Sequence, residues 1–293
     1  MKNISALILA TFIWGSGFVA TRWTLVDFSP TWSNSFRFLF AGAISFPILL
    51  LFDRKLLFNR KVLICSLFLF LGLQLQTFGI AYTTIAKSGF FTVMYSVFTP
   101  IFLLLFFKQK IRAAFWFLLG LSLLAIALIC DFSLENFNAG DVLIIISAIF
   151  FSLHIISVDR LAHEYNSFTF NLGQCFTVGI IGLIYALFTE GVPSNDPFRG
   201  WGDFSQMSPV NGFLILSIFS SIIAFGLQNY SQKKIKAHIV GLIFLLESFF
   251  AAGLGYLLYN ETLTQTALIG CSLLCLTIIL IPKLTKFNKP VPA

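Results

Sequence analysis

Glu247 is the residue in this sequence best placed to do chemistry, because it is an acid set deep in an apolar run. It stands between Phe244-Leu245-Leu246 and Ser248-Phe249-Phe250. It lies about nine residues into a run long enough to span lipid, and at ~1.5 Å rise per residue that depth is near the bilayer centre. An acidic group there costs several kcal/mol unless it is paired, wetted or protonated. Two roles meet that condition. One is a cavity-facing site for a cation or proton. The other is a protonated carboxyl that locks two helices together by a hydrogen bond.

Other polar and aromatic side chains at similar depth define what such a cavity could hold. Arg37 sits about a turn and a half inside its run, able either to snorkel outward along its apolar stem or to face an anionic group of a solute. His154 lies deep in the sixth run, where it serves as a helix contact or as part of a transport path. Gln74 and Gln76, Gln174, and Gln228 with Asn229 are amides that can orient a solute without the cost of charge, or bond helices together. Trp14, Tyr82 and Tyr95 can stack on or hydrogen-bond a solute, and Trp14 is far from the interface where Trp normally settles. The substrate-contacting set expected from this reading is Trp14, Gln74, Tyr82, Tyr95, His154, Gln228 and Glu247.

The elements that must position these groups follow from composition. Of 293 residues 58% are hydrophobic and 11% charged, the latter about half the share usual in soluble domains. With a mean hydropathy of +0.91, the chain must take lipid as its solvent. The net charge of +7 comes from short basic clusters between apolar runs, not from a stripe or tail, so nucleic acid is not the expected partner. Cys65, Cys130, Cys175, Cys271 and Cys275 all fall within or at the end of apolar runs. They read as buried thiols, and no cofactor, metal site or disulfide framework is expected.

Ten spans fit the ruler of about 20 apolar residues per crossing. They are Ile4–Val26, Trp32–Phe52, Val62–Ala81, Ser88–Phe107 and Phe115–Cys130, then Gly140–Ser157, Phe168–Thr189, Val210–Tyr230, His238–Leu258 and Thr266–Lys283. The first is read as a retained helix and not as a cleaved signal. Charge placement supports this count. With the N-terminus inside, one face receives Lys2, Arg54, Lys55, Arg60, Lys61, Lys108, Lys110, Arg112, Arg160, Lys233, Lys234, Lys236, Lys283, Lys286 and Lys289. The other face has Lys87 and Arg199 in its loops, with Arg22, anchored beside Asp27, and Arg37 in helix ends. Asp27, Asp131, Glu135, Asp141, Glu190, Asp196, Asp203 and Glu261 gather there too. Both termini are therefore expected to be cytoplasmic.

The second half of the chain repeats the first. A shift of 137 lays Trp14 on Phe151, Arg37 on Gln174, Gly42 on Gly179, and Ser29-Pro30-Thr31-Trp32 on Asn166-Ser167-Phe168-Thr169. A shift of 148 then brings Tyr82 onto Tyr230, Thr99 onto Glu247 and Pro100 onto Ser248, and Gly120 meets Gly270 at 150. The expected units are residues 3–133 and 138–283, and their five-span length is odd, so the second copy enters the membrane from the opposite side. Small residues at Ser88, Thr92, Ser96 and Pro100, and at Ala251 and Gly255, mark close helix seams. Pro100 is the expected kink of the fourth span.

Several segments resemble the drug/metabolite transporter superfamily, in particular proteins with tandem EamA-type domains. Ile13-Trp14-Gly15-Ser16-Gly17-Phe18-Val19 is similar to the family's opening Trp-Gly-small-x-Phe pattern, and Pro30 through Arg37-Phe38 to its second-span Pro…Arg-Phe pattern. Leu246-Glu247-Ser248-Phe249-Phe250-Ala251-Ala252 resembles its Leu-Glu-Pro-Val-Phe-Ala segment, followed by Leu257 through Leu263 and Gly270, with Ser248 in place of the usual Pro. Lys108-Gln109-Lys110 also departs from the acidic residue that usually follows the fourth helix. The resemblance implies an all-α, ten-helix inverted-repeat carrier of the bacterial inner membrane, often an exporter of amino acids or other small metabolites.

The expected function is secondary transport of a small polar or amphipathic metabolite through a central cavity lined by spans one, three, four, six, eight and nine. The direction expected is export, and alternating access is the expected mechanism. Without a Gly-x-x-x-x-Gly-Lys-Ser/Thr loop, the energy must come from a gradient, and Glu247 makes a proton the candidate coupling ion. The rival is an intramembrane lipid-handling protein, a flippase or enzyme. As an enzyme it would need a nucleophile–base pair or metal cluster at membrane depth, and the three histidines His154, His163 and His238 form no His-Glu-x-x-His pattern. No enzymatic activity is expected. Oligomeric state is left open by the sequence.

Overall fold

Polar groups at the ends of the apolar runs start most of the helices. Ser29 accepts the Trp32 amide ahead of Pro30, Asn166 accepts those of Phe168 and Thr169, and Ser208, Thr84 and Thr264 do the same for their helices. Asn138 and Asp141 form a reciprocal capping box. Such caps satisfy amide donors that lipid would leave stranded. The computed structural model describes residues 2–130, 137–198, 208–259 and 264–285. Asp131, Glu135, Arg199, Asp203, Glu261, Lys286 and Lys289, used above to weigh the two faces, lie outside the described residues, as do residues 260–263 of the ninth-span motif.

The chain is an all-α membrane protein with ten apolar helices. These are α1 (Lys2–Thr24), α2 (Pro30–Phe52), α3 (Arg60–Tyr82), α4 (in two pieces, Ile85–Thr92 and Tyr95–Phe107), α5 (Ala113–Ile129), α6 (Ala139–Leu161), α7 (Ser167–Thr189), α8 (Pro209–Gln232), α9 (Ala237–Phe244 and Leu246–Tyr259) and α10 (Gln265–Leu284). Among the described residues nine spans are long and apolar enough to cross a membrane, and α5, with 17 residues, is shorter. At ~1.5 Å per residue α5 rises about 25 Å, a little under the hydrocarbon thickness.

Helix pairing carries a two-fold relation. α2 packs on α7, α4 on α9 and α5 on α10; α1 packs on α8 and α9, and α6 on α3 and α4. Exchanging each helix for the one five places later maps this set of pairs onto itself, so the halves are related by a pseudo-two-fold axis. Five crossings per half make the two copies opposite in direction. The α2–α7 crossing shows the relation in single atoms. A methyl group on Gly179 would lie 2.6 Å from the Phe38 carbonyl oxygen, and one on the equivalent Gly42 would lie 3.4 Å from the Phe176 Cα. The small residues let the two backbones touch.

Three local features depart from the sequence reading. The interruption of α4 falls at Val93-Met94 and not at Pro100, which lies in the regular helix Tyr95–Phe107. There the hydrogen bonds shorten to three-residue closures, Met94 N to Phe91 O (3.2 Å) and Ser96 N to Val93 O (2.9 Å). α9 breaks at Leu245 although Ser248 stands where α4 has Pro100, so proline is not the common cause. The breaks sit where α4 and α9 cross, with Ser96 against Gly241 and the Ser248 hydroxyl donating to Gly89 O (3.2 Å). Thr92 instead faces Gln76 and Ala251 faces Gly15 of α1. α8 carries a π-helical stretch over Ile215–Ala224, for which apolar periodicity gives no signal. Finally, Arg22 donates to the Thr83 carbonyl at the end of α3 and not to Asp27, whose carbonyl accepts from Asn195.

Candidate functional site

Between the halves lies a partly open cavity with about 570 Å³ of atom-free space, some of it continuous with solvent. α1 presents Trp14, Gly17, Phe18 and Thr21, spaced as one helix face. α3 contributes Leu73, Gln76 and Ile80, and α4 Thr92 and Tyr95. From the second half come Phe151, His154 and Ile155 of α6, Ser220, Phe225 and Gln228 of α8, and Phe244 and Glu247 of α9. The six helices expected from the sequence all reach the cavity, and α2 adds a seventh wall through Arg37.

Five of the seven sequence-selected residues meet here: Trp14, Tyr95, His154, Gln228 and Glu247. Glu247 is buried and accepts a hydrogen bond from the Tyr95 hydroxyl (3.1 Å) across the α4–α9 crossing. Trp14 donates its indole N–H to Ser220 O (3.3 Å) and packs edge-on against Phe244, with centroids 4.8 Å apart. His154 Nε2 lies 2.8 Å from Gln174 Oε1, which also accepts from the Cys65 thiol (3.3 Å). Gln228 donates to Gln232 Oε1 (2.7 Å), and Gln232 in turn donates to Ile155 O (2.9 Å), tying α8 to α6 at the cavity floor.

The other two lie elsewhere. Gln74 faces α2, accepting from Asn34 Nδ2 (3.1 Å) and donating to Thr31 Oγ1 (3.3 Å). Two residues along a helix is about 200° around it, so Gln74 and Gln76 cannot share a face. Gln76 takes the cavity side and donates to Thr92 Oγ1 (3.0 Å). Tyr82, at the last turn of α3, is 67% exposed. Asn229 is buried but does not line the cavity, and His238 is buried edge-on against Phe115 (5.0 Å).

Arg37 is the cavity residue whose weight the sequence understated. It is buried, with Nε donating to Ser221 Oγ and Nη2 to Ser220 Oγ, each at 2.8 Å. Those serines belong to the π-helical stretch of α8. Neighbouring side chains brace that stretch by donating to its carbonyls: Asn171 Nδ2 to Ser221 O (3.1 Å) and Ile222 O (2.8 Å). Neither Arg37 nor Glu247 has an ion-pair partner among the described residues. The pairs found there are Lys61–Glu164 (2.5 Å) and Lys87–Asp141 (3.7 Å) at the two ends of the α3–α6 contact. No three His, Cys, Asp or Glu side chains gather among the described residues to form a metal cage.

The EamA-like transporter family matches residues 1–130 and, a second time, 138–282. The chain belongs to the EamA-like transporter family. Each match takes in five of the helices, dividing the chain between α5 and α6. An uncharacterized transporter of Archaeoglobus fulgidus is 29% identical over 286 residues, covering 94% of this chain and 84% of that one. The uncharacterized transporter YoaV of Bacillus subtilis is 22% identical over 287 residues, covering 94% of each. A solved crystal structure shares the fold, with a TM-score of 0.76 at 15% identity over 94% of each chain. Membership makes this EamA-like protein a multi-pass membrane transporter with a small-molecule cargo, and points away from an enzyme.

Proposed function

We propose that the protein is a secondary carrier that exports a small polar or amphipathic metabolite, an amino acid or a compound of similar character, by alternating access. The supporting observation is the cavity at the interface of two inverted halves, where Glu247, Arg37, Trp14 and Tyr95 face one space. Residues 3–133 and 138–283 act as the two moving units. The protein resides in the bacterial inner membrane with both termini in the cytoplasm, an orientation that the Lys and Arg bias of its loops supports. Glu247, hydrogen-bonded to Tyr95 and without a direct ion pair among the described residues, is the proton-coupling group, and Trp14, Tyr95, His154, Gln228 and Glu247 contact the cargo.

The test compares the small-molecule content of medium and cells with and without the protein, by mass spectrometry. A solute moved outward in a saturable way, and driven in reconstituted vesicles by a pH gradient, is the expected result. Unsaturable flux indifferent to any gradient would make the protein a channel and end this reading.

A further inference from the structure

We propose that Arg37 is the anion subsite of the cavity, so that the cargo carries a carboxylate or similar anionic oxygen group; this rests on the transport reading above. The eighth residue of α2, Arg37 sits about 10 Å below the helix start at ~1.5 Å per residue, yet it is buried instead of snorkelling to that end. A buried guanidinium with only neutral partners is costly, and structural arginines are normally matched by a carboxylate. Here the partners are two serine hydroxyls. They aim the group without pairing its charge, which Glu247 of the same cavity meets only through space. Glu247 lines the same cavity, but its hydrogen bond comes from Tyr95 and it is not paired with Arg37. With two of five donors engaged, the guanidinium keeps others for a planar anion, the geometry it recognises best.

The repeat supplies an internal control. The residue equivalent to Arg37 in the second half is Gln174, and the α3 residues equivalent to Ser220 and Ser221 are Gly72 and Leu73. The Glu247 position corresponds to Thr99. At the mirror-image joint Phe151 packs on Gly72, where an added methyl would lie 3.0 Å from its ring, and Gln174 bonds to His154 and Cys65. The equivalent joint of the other half is thus closed without a charged side chain. The π-helical stretch of α8, which places two adjacent hydroxyls on one guanidinium, occurs on the charged side.

The test uses the full-length protein in cells and classes each solute it moves by charge. Every saturably moved solute is expected to carry an anionic group. Arg37→Gln should lower its movement at least tenfold, Arg37→Lys should retain a fraction, and the Ser220→Ala/Ser221→Ala pair should raise KM several-fold with little loss of protein in the membrane. Size-exclusion profiles of fluorescently tagged variants report folding. If Arg37→Gln does not fold, the charge class of the solutes moved by the unaltered protein decides alone. A saturably moved solute that is neutral or purely cationic, or a folded Arg37→Gln protein that transports normally, would overturn the subsite while leaving transport intact. No solute moved at all would remove the transport reading itself.

Discussion

Glu247 and Tyr95 join the two halves through one hydrogen bond at the deepest part of the molecule, and each gives a measurable expectation. Glu247→Gln keeps the shape of the side chain and removes its ability to gain or lose a proton. Transport by that variant in vesicles should no longer respond to a pH gradient; an unchanged response would assign the proton elsewhere. Tyr95→Phe removes the donor to the carboxylate. A hydrogen bond of this kind is worth about 0.5–1.5 kcal/mol, so the transport rate should fall roughly two- to tenfold, read as initial uptake. The depth of Glu247 and Trp14 was legible from counting residues along apolar runs. The choice between Gln74 and Gln76 was not, because both are amides at equal depth and only the orientation of α3 separates them. The choice between the two placements of Arg37 was not legible for a related reason. Its snorkelling distance can be counted in sequence, whereas the two serines that hold it lie 183 and 184 residues away.

At the scale of helices, the informative positions are those where backbones touch. Gly179→Val should destabilise the protein by about 1–3 kcal/mol, the usual cost of overpacking, because Phe38 O lies 2.6 Å from the added carbon. Gly120→Ala has open space around it and should leave the melting temperature in detergent unchanged or slightly higher. Measuring both by thermal unfolding of tagged protein separates contact from mere composition. Helix number and order could be read from hydropathy, since lipid forces each crossing to be apolar and helical. The breaks in α4 and α9 and the π-helical stretch of α8 could not. They arise from crossing partners distant in sequence, and the visible Pro100 pointed to the wrong turn.

For the molecule as a whole, the even number of crossings and the placement of Lys and Arg fix an expected topology. A phosphatase fused after the last helix should be silent and a fluorescent protein there bright, with the same result at the N-terminus; opposite readings at the two ends would break the ten-crossing count. The inverted repeat was legible because ordered matches recurred through five span pairs, although each match alone was weak. Its asymmetry was less visible: only the packing shows Gln174 set on His154 and Cys65 in one half and the equivalent Arg37 set on a pair of serines in the other.

The Gly42–Gly179 crossing has a mechanical consequence. With no side chain at either glycine, the backbones of α2 and α7 meet directly, and in the proposed transport cycle the halves would turn about that point as a beam turns on a fulcrum. Under the proposed alternating access, widening the mouth on one face would narrow the mouth on the other, and the leverage of the frame would shut out a continuous water path.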